Sequence, residues 1–437
     1  MNQVMAHVND NNLINEDQHG GRKGHSTSTC ILEILEEVNS ANRAKLCTAL
    51  LAVDLSAAYD LCDHKILIQK CRIMNMGKPT IKWLTDFLNA RVQYVELNGE
   101  TSEILSMGEQ GVIQGCPSSG NLFTLYINQL PAQVKPKLNT QQKKSKLDSC
   151  AKEYVDDLNT ITKGKNMNML KEKLVEDYNN LKVYLQNHRM IINPEKTKLM
   201  FTLPPKNKEN LFITLDGIKI NHQPDIKILG ITLSEDLKFD KHIWSGPSNM
   251  VKKLGYKTSL LRSLKPFLPQ KALHTIGNSI INSTILYGAP IWGITKAANI
   301  EMLQSCQIKA GRVIDGFGCK GNKSHRQTLL EKMKWPNVNQ IIESAILNQT
   351  KRALSMEASK GLNNMFTKSF PRFQRGNKGW RIKNCGPAKE TKVTFASKAQ
   401  SLYNNLPSDL SNILLTPLEF KNKLRPYIKS TNHLKMH

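Results

Sequence analysis

The sequence predicts an α+β fold in which an antiparallel sheet is backed by helices. Runs with the character of β-strands alternate with runs whose apolar residues recur at helical spacing. Asn98-Gly99 and Asp216-Gly217 each follow a strand-like run, and these dipeptides are the strongest short signals for a β-hairpin. A further predicted hairpin carries Asp156 and Asp157 at its tip. These signals indicate strands that are joined by tight turns and packed against helices.

Two of the predicted strands bring carboxylates to their ends. The apolar run at residues 48–53 is typical of a buried strand and leads directly into Asp54. The run YVDD at residues 154–157 sets two acids side by side, which is unfavourable within a strand because Asp is depleted there and like charges repel. Considered alone, the pair fits a turn with two solvated carboxylates equally well. Three converging carboxylates, in contrast, can hold two Mg²⁺ ions about 4 Å apart for in-line attack on a phosphate.

The composition indicates a basic globular protein that binds a polyanion. The 437 residues suffice for two or three domains, and 61 Lys and Arg against 36 Asp and Glu give a net charge of +25. Phosphates are the simplest partner for such a charge, although a basic structural protein would show the same balance. No run of 18 apolar residues and no signal or transit peptide occurs, so no membrane partner is expected. The nine cysteines include no Cys-x-x-Cys pair, which indicates reduced intracellular thiols.

A glycine-rich, basic block at residues 18–29 is the first candidate binding segment. Its glycines let backbone amides approach an anion, and Arg22 and Lys23 add positive charge. A plain loop leading into a helix explains the block equally well, with Ser26 or Thr27 as N-cap of a helix over about residues 30–40. Residues 1–20 are polar without a clear period, so no regular element is predicted there.

Two further candidates lie between the acids. Tyr59, five residues after Asp54, can stand beneath a bound sugar or be an ordinary half-buried aromatic residue. The glycine-rich run at residues 111–120 precedes an apolar helix and suits close packing against a nucleotide, where Gln114 can reach a base edge. A purely structural loop is the alternative.

The rest of the chain continues this pattern and then becomes helical. We predict a helix at 167–188, a strand after residue 190, a hairpin at 212–220 and one strand at 227–233. Apolar stripes at 251–264 and 276–285 predict helices, and two more are expected near 325–333 and 338–358. Residues 368–392 mix basic and aromatic side chains, which fits a grip on a single strand or a solvated loop equally well.

The order of these motifs resembles the palm of a reverse transcriptase, and more narrowly that of non-LTR, jockey-like retrotransposons. The resemblance covers about residues 18–295 and rests on Asp54 with Tyr59, Gln114-Gly115, YVDD at 154–157, NPEKT at 193–197 and Leu229-Gly230. It implies a polymerase right hand: partial fingers and an antiparallel palm at 1–242, a helical thumb at 243–320, and a mostly helical basic C-terminal region at 321–437. The run at 116–120 departs from the usual family wording, and Gly21 stands where the family has Phe.

The resemblance also implies roles for individual residues. Asp54 and Asp156 would bind both metal ions, Mg²⁺ or alternatively Mn²⁺, and Asp157 would complete the acidic site. Tyr59 would exclude the ribose 2′-OH, and Gln114 and Gly115 would touch the nascent base pair and template. Lys196 would lie near the leaving pyrophosphate as a proton donor, although a surface lysine is nearly as good an interpretation. The remaining expected substrate contacts are Tyr154, Arg22 and Lys23.

The function expected from this resemblance is RNA-directed DNA polymerisation, which takes dNTPs, an RNA template and a DNA primer or target, in the nucleus or cytoplasm. A nucleic-acid-binding remnant without polymerase activity is the competing hypothesis. An RNA-templated RNA polymerase is a third, against which Tyr59 argues. Because residues 1–15 contain no Lys or Arg, the chain resembles a fragment truncated at the fingers. We therefore expect it to bind primer–template but to extend primers poorly, since cationic groups assist phosphoryl transfer.

Overall fold

A four-stranded antiparallel sheet is the centre of Met1–Leu229, the first of the two units into which the chain divides; the second is Gly230–His437. The computed structural model describes residues 1–89, 91–134, 148–204, 211–316, 323–369, 381–384, 393–412 and 414–430. In chain order, the elements of the first unit are α1 (Asn2–Asp10), α2 (Thr27–Arg43), β1 (Cys47–Ser56), α3 (His64–Ile73), α4 (Lys78–Leu88), β2 (Val92–Gln93), β3 (Glu96–Leu97), β4 (Glu100–Thr101), β5 (Leu105–Ser106), α5 (Ser119–Ile127), a 3₁₀ helix (Pro131–Gln133), β6 (Asp148–Tyr154), β7 (Asp157–Gly164), α6 (Met167–Asn187), β8 (Ile191–Thr202), β9 (Phe212–Leu215), β10 (Ile218–Asn221) and β11 (Asp225–Ile228).

The sheet has the strand order β6-β7-β1-β8, and every neighbouring pair is antiparallel. The predicted strand that leads into Asp54 is β1, one of the two central strands, and its residues Ala49, Leu50 and Leu51 are at most 1% exposed. The predicted acidic hairpin is β6–β7, in which Tyr154 pairs with Asp157. The expectation of an antiparallel sheet with a buried strand and an acidic turn is therefore confirmed.

Two helices cover this sheet and form much of its core. Helix α2 contacts β1, β6 and β7, while α6 contacts β1, β7 and β8. Ser26 caps α2 as predicted, because its side chain accepts a hydrogen bond from the backbone N–H of Thr29 at 3.2 Å. Each fully buried Leu on these helices contributes about 1.5–3 kcal/mol by leaving water. The α6 residues that face the core follow helical spacing: Leu170, Leu174, Tyr178, Leu181 and Leu185.

Helix α1 corrects the expectation that residues 1–20 form no regular element. Val4 and Val8 lie one turn apart on α1 and are both buried in the core of the first unit. The imidazole Nε2 of His7 is 2.9 Å from the carbonyl of Met74, which ties the helix to the end of α3. The sequence signal was weak because only two inward-facing apolar residues stand among polar neighbours.

The second unit is mainly helical, as the apolar stripes predicted. The helices expected from those stripes and near 325–333 and 338–358 are all present, and none within the described ranges is long and apolar enough to cross a membrane. Its elements are β12 (Ile231–Ser234), a π-helical segment (Lys241–Ser245), α7 (Met250–Leu264), α8 (Gln270–Gly277), a second π-helical segment (Asn278–Asn282), α9 (Ser283–Leu286), α10 (Ala289–Trp292), α11 (Ala297–Asp315), α12 (Lys323–Lys332), α13 (Val338–Leu354), α14 (Lys360–Asn363), β13 (Phe366–Ser369), β14 (Arg381–Asn384), α15 (Phe395–Asn404) and α16 (Pro417–Ser430).

The single strand predicted at 227–233 is wrong, because the structure has two strands there. β11 ends at Ile228 and β12 begins at Ile231, and both intervening residues adopt left-handed backbone angles, with φ of 45° at Leu229 and 82° at Gly230. Left-handed residues interrupt an extended strand. Of the basic and aromatic segment at 368–392, residues 370–380 and 385–392 lie outside the described residues.

Candidate active site

The ends of β1, β6 and β7 bring three carboxylates to one edge of the sheet. Val53 pairs with Leu158 in the β1–β7 register, so Asp54 and Asp157 are the next residues on facing strands. Asp156 precedes Asp157 in the turn of the β6–β7 hairpin. Asp156 and Asp157 are exposed, and Asp54 is half-buried. The convergence predicted from the sequence therefore has a direct basis in strand register.

The three carboxylates act on one another electrostatically. Although the residue is exposed at the turn, partial desolvation of its carboxyl group, and then the negative charges of Asp156 and Asp54, raise the pKa of Asp157 above its ordinary value. Burial and the charge of Asp156 also raise the pKa of the Tyr59 hydroxyl. Behind them, burial raises the pKa of the Glu153 carboxyl well above its usual range. The site is a concentrated negative field that a cation would neutralise.

The oxygen donors fit a hard divalent cation whose remaining ligands come from water and substrate. No group of three or more His, Cys, Asp or Glu side chains in the described part of the chain is placed to hold a metal ion by itself. Mg²⁺ does not need one, because it usually keeps several waters and binds through one or two carboxylates together with substrate phosphates. The oxygen donors of Asp54, Asp156 and Asp157 and their mutual repulsion suit that kind of site.

Tyr59 connects the acids to the glycine-rich run at 111–120. Its ring stacks on Phe123 with 5.0 Å between centroids, and its carbonyl accepts a hydrogen bond from the N–H of Val112 at 2.8 Å. A Cβ atom built on Gly120 would lie 3.7 Å from the Tyr59 hydroxyl oxygen. Tyr59 is therefore held between the acids and the start of α5, beside a position without a side chain.

Gln114 and Gly115 are exposed on the same run and lie before α5. Gly115 has a φ of 86°, and a Cβ there would meet no atom within 4 Å, so its glycine is needed for backbone conformation and not for space. Gly111 also has a positive φ, of 84°, but a Cβ there would lie 3.2 Å from the carbonyl oxygen of Asp60. This glycine permits close packing of the run against the segment after β1.

The four other predicted residues lie around the same strands. Arg22 donates from Nη1 to the carbonyls of Asn15 at 2.8 Å and Gln18 at 3.1 Å, which engages part of its guanidinium within its own loop. Lys23 is exposed, and Tyr154 is half-buried opposite Asp157. Lys196 is exposed, and it lies where the β1–β8 register shifts between Ala52 and Asp54.

A buried ion network behind the acidic turn was not predicted from the sequence. The Nζ atom of Lys152 on β6 contacts Asp17 at 2.7 Å and also Glu33 on α2, and these three side chains are at most 8% exposed. The Nδ1 atom of His19 is 2.9 Å from the hydroxyl of Thr29. A charged residue inside a predicted strand, as Lys152 is, was the signal that a buried partner should exist.

The pKa values in this network follow from the competition between burial and pairing. Burial would raise the pKa of Glu33, but His19, whose Nε2 lies 3.6 Å from the Glu33 carboxylate, and the charge of Lys152 outweigh it and hold the pKa below the ordinary range. Burial would lower the pKa of Lys152, but Glu33 and Asp17 raise it above its usual range. The Glu33 contribution to stability is therefore present above an unfolded pKa of about 4.3 and lost as pH falls through its folded pKa.

We expect Lys152→Met to destabilise the first unit by about 3–5 kcal/mol, because it leaves two buried carboxylates without their cation. Urea unfolding followed by circular dichroism measures the change. Lys65→Met on α3 is the control, since Lys65 and its partner Glu109 are 73% and 66% exposed. That change should cost about 1 kcal/mol or less. Equal losses for both variants would contradict the assignment of a buried network.

Known proteins share sequence similarity with this chain, including the part that carries the three carboxylates. The family profile described as reverse transcriptase (RNA-dependent DNA polymerase) matches residues 1–233. The chain is 24% identical over 338 residues to the probable RNA-directed DNA polymerase from transposon BS of Drosophila melanogaster, covering 76% of this chain and 36% of that protein. It is also 24% identical over 305 residues to the RNA-directed DNA polymerase from mobile element jockey of the same species, covering 68% and 32%.

The chain thus spans about a third of the length of these curated relatives. Among solved structures, telomerase from Candida Tropicalis in complex with a fragment of telomeric RNA is 14% identical with a TM-score of 0.41, and the match covers 76% of this chain and 56% of that one. The family profile extends over more than half of the 437 residues and includes all three carboxylates. This chain belongs to the reverse transcriptase family, and the relatives that it resembles are polymerases of non-LTR retrotransposons.

Proposed function

We propose that this chain carries out RNA-directed DNA synthesis as the reverse transcriptase domain of a non-LTR retrotransposon protein. The observation that carries the proposal is the meeting of Asp54, Asp156 and Asp157 at adjoining strand ends. The substrates are a dNTP, an RNA template and a primer 3′-OH, in keeping with the names of the relatives. Two Mg²⁺ ions, with Mn²⁺ as a substitute, are the proposed cofactors at these carboxylates.

The proposed reaction is a nucleotidyl transfer that exchanges one phosphorus–oxygen bond for another. The primer O3′ forms a bond to the α-phosphorus of the dNTP, the bond from that phosphorus to the bridging oxygen breaks, and pyrophosphate leaves with the bridging oxygen. When bound, the metal ions supply charge neutralisation and Lewis-acid polarisation. Asp54 and Asp156 would hold them, and the Asp157 carboxylate would complete the acidic site. The primer hydroxyl gives up its proton to a water molecule, and exposed Lys196 is the proposed donor to the pyrophosphate.

Substrate selection is assigned to the residues around Tyr59. The Tyr59 ring is fixed by stacking on Phe123, so it can block a ribose 2′-OH by steric exclusion. Gln114 and Gly115, both exposed, are proposed to contact the nascent pair and the template strand. Tyr154, Arg22 and Lys23 remain proposed contacts to the incoming nucleotide.

We assign residues 243–320 as the thumb, and a cationic groove inside the second unit supports a grip on primer–template. The groove lies between α7 and α11 and has a volume of about 580 Å³. Its lining contains no Asp or Glu among the described residues. Gly255 leaves open space in its wall, because a Cβ atom there would meet no atom within 4 Å. Its positive charge comes from four side chains: Arg262, Lys265, Lys309 and Arg312.

We expect the double change Arg262→Ala and Arg312→Ala to weaken primer–template binding uniformly across sequences. Two phosphate contacts would be lost, so the slope of log Kd against log salt concentration should fall by roughly 1.5–2. Fluorescence anisotropy over a salt series measures the slope. Lys421→Ala with Lys423→Ala is the matched control, because both lysines are exposed on α16 and outside the groove. An equal change of slope in the control pair would contradict a specific role for the groove.

Primer extension tests the proposed function. The purified chain is incubated with oligo(dT) annealed to poly(rA), dTTP and Mg²⁺, and products are resolved by length. Extension that EDTA abolishes supports the proposal. Tight binding of the annealed substrate without any extension, under Mg²⁺ or Mn²⁺, would contradict it in favour of a nucleic-acid-binding function.

A further inference from the structure

The turn that carries Asp156 contains a residue in a strained conformation. Val155 has a φ of 61°, in the left-handed region that β-branched residues rarely adopt. Such a conformation costs of order 1–3 kcal/mol and persists only where the surrounding structure enforces it. Because Val155 directly precedes Asp156, its backbone angles set the direction in which the Asp156 side chain leaves the hairpin. The contacts that enforce the backbone conformation of Val155 therefore also orient Asp156, a proposed metal ligand.

One buried side chain, that of Gln18, holds the Val155 backbone. Gln18 is 0% exposed. Its Oε1 atom accepts hydrogen bonds from the backbone N–H groups of Gly20, at 2.7 Å, and Val155, at 3.1 Å. The N–H of a turn residue that is turned away from the sheet would otherwise be without a protein partner, at a cost of about 1–3 kcal/mol where it is shielded from water.

Gly20 closes on the same residue from the other side. A Cβ atom built on Gly20 would lie 2.4 Å from Cγ2 of Val155 and 2.7 Å from its backbone nitrogen. The second of these contacts is with backbone, which cannot move aside as a flexible side chain can. Only glycine permits this approach. Gln18 and Gly20 together form a clamp on Val155 (the Gln18 clamp).

The segment that carries the Gln18 clamp is itself fixed to β6. The N–H of Glu153 donates to the carbonyl of Asp17 at 2.9 Å, and the N–H of His19 donates to the carbonyl of Glu153 at 2.7 Å. Gln18 is thereby paired with Glu153 as a parallel bridge. The ion pair of Asp17 with Lys152 adds a side-chain anchor at 2.7 Å. The Gln18 clamp is thus attached to β6, the strand whose end it controls.

We propose that Gln18 and Gly20 are positioning residues that fix the Val155 backbone and thereby aim the Asp156 carboxylate at the proposed metal site. The inference rests on the proposed function for its catalytic consequence. This proposal gives the segment before Arg22 a role for which it need not contact the nucleotide. The Gln18 oxygen accepts both hydrogen bonds, and the amide also lies beside the buried Glu153 carboxyl.

Steady-state kinetics of three variants separate positioning from general stability. Gln18→Ala should lower kcat roughly 10²-fold with an unchanged KM for dNTP, as expected for a misaligned reactive group. Gln18→Glu keeps an acceptor oxygen but sets a second carboxyl beside the buried Glu153, so it should restore only part of the rate. The matched control is Gln307→Ala, because Gln307 is also 0% exposed and donates two hydrogen bonds, to Asn282 and Pro336, within the second unit. It should lower Tm and leave kcat unchanged.

A second readout makes the clamp testable without activity. Hydrogen exchange at the Val155 amide should be slow in the wild type and in Gln307→Ala, and fast in Gln18→Ala and Gly20→Ala. If the wild type fails to extend primers, the proposed function is wrong, and the exchange result alone decides whether the clamp exists. Equal exchange at Val155 in wild type and Gln18→Ala would overturn the inference. So would a Gln18→Ala enzyme that exchanges fast at Val155 but keeps the wild-type kcat.

Discussion

Replacing Asp156 with Asn is expected to reduce primer extension by ~10³-fold or more while primer–template binding stays nearly intact. The change keeps the shape of the side chain and removes the charge that would hold a metal ion, and metal ions supply most of the charge stabilisation in such reactions. Binding rests on dispersed basic groups and on phosphate contacts. Single-turnover extension and fluorescence anisotropy measure the two quantities on the same preparation.

The matched control for this change is Asp86→Asn, an exposed aspartate on α4 of the same unit. It should leave both quantities unchanged. Stability should not fall in Asp156→Asn, because the Asp156 charge is one of the causes that raise the pKa of Asp157. Asp156→Asn with undiminished extension would refute the assignment of Asp156 as a metal ligand. A comparable loss of binding would instead indicate a structural role.

Replacing Tyr59 with Ala is expected to raise the use of ribonucleotides. The ratio of kcat/KM for rNTP to kcat/KM for dNTP should increase by about tenfold or more, since a steric block against one hydroxyl would be removed. Tyr59→Phe should leave the ratio unchanged, because the ring would still stack on Phe123 and fill the same space. Parallel assays with UTP and dTTP on a poly(rA) template give the ratio.

Tyr94→Ala is the control for loss of an aromatic ring, because Tyr94 is 54% exposed on the hairpin that precedes the glycine-rich run. It should not change the ratio. If Tyr59→Ala and Tyr59→Phe gave the same ratio as the wild type, Tyr59 would be a packing residue. Sugar selection would then have to reside elsewhere in the site.

The sequence predicted those parts of the site that depend on local patterns. Asp54 follows an uninterrupted apolar run, and Asp156 and Asp157 occupy a turn whose charge has no local explanation. Strand period and turn chemistry were sufficient to place all three at strand ends. The register Val53 with Leu158 then brings two strand ends together. The strands and the antiparallel sheet, which the structure confirms, were predicted from these same local signals.

The features that were missed depend on contacts between residues far apart in the chain. Gln18 meets Val155 across 137 residues, and Lys152 meets Asp17 across 135. A glutamine before a glycine-rich block carries no local sign of such a partner. Helix α1 was missed for a related reason, since Val4 and Val8 are stabilised by the core and not by a strong pattern of their own. The Gln18 clamp can be identified only from the three-dimensional structure.

Asp54, Asp156 and Asp157 are proposed to bind together the metal ions of nucleotidyl transfer. Electron paramagnetic resonance of Mn²⁺ tests this proposal, on the chain bound to primer–template and a non-hydrolysable dNTP analogue. Two tightly bound ions are expected for the wild type, and none in the combined variant Asp54→Asn, Asp156→Asn and Asp157→Asn, with substrate still bound. Two tightly bound ions in that variant, or primer extension by it, would contradict the claim.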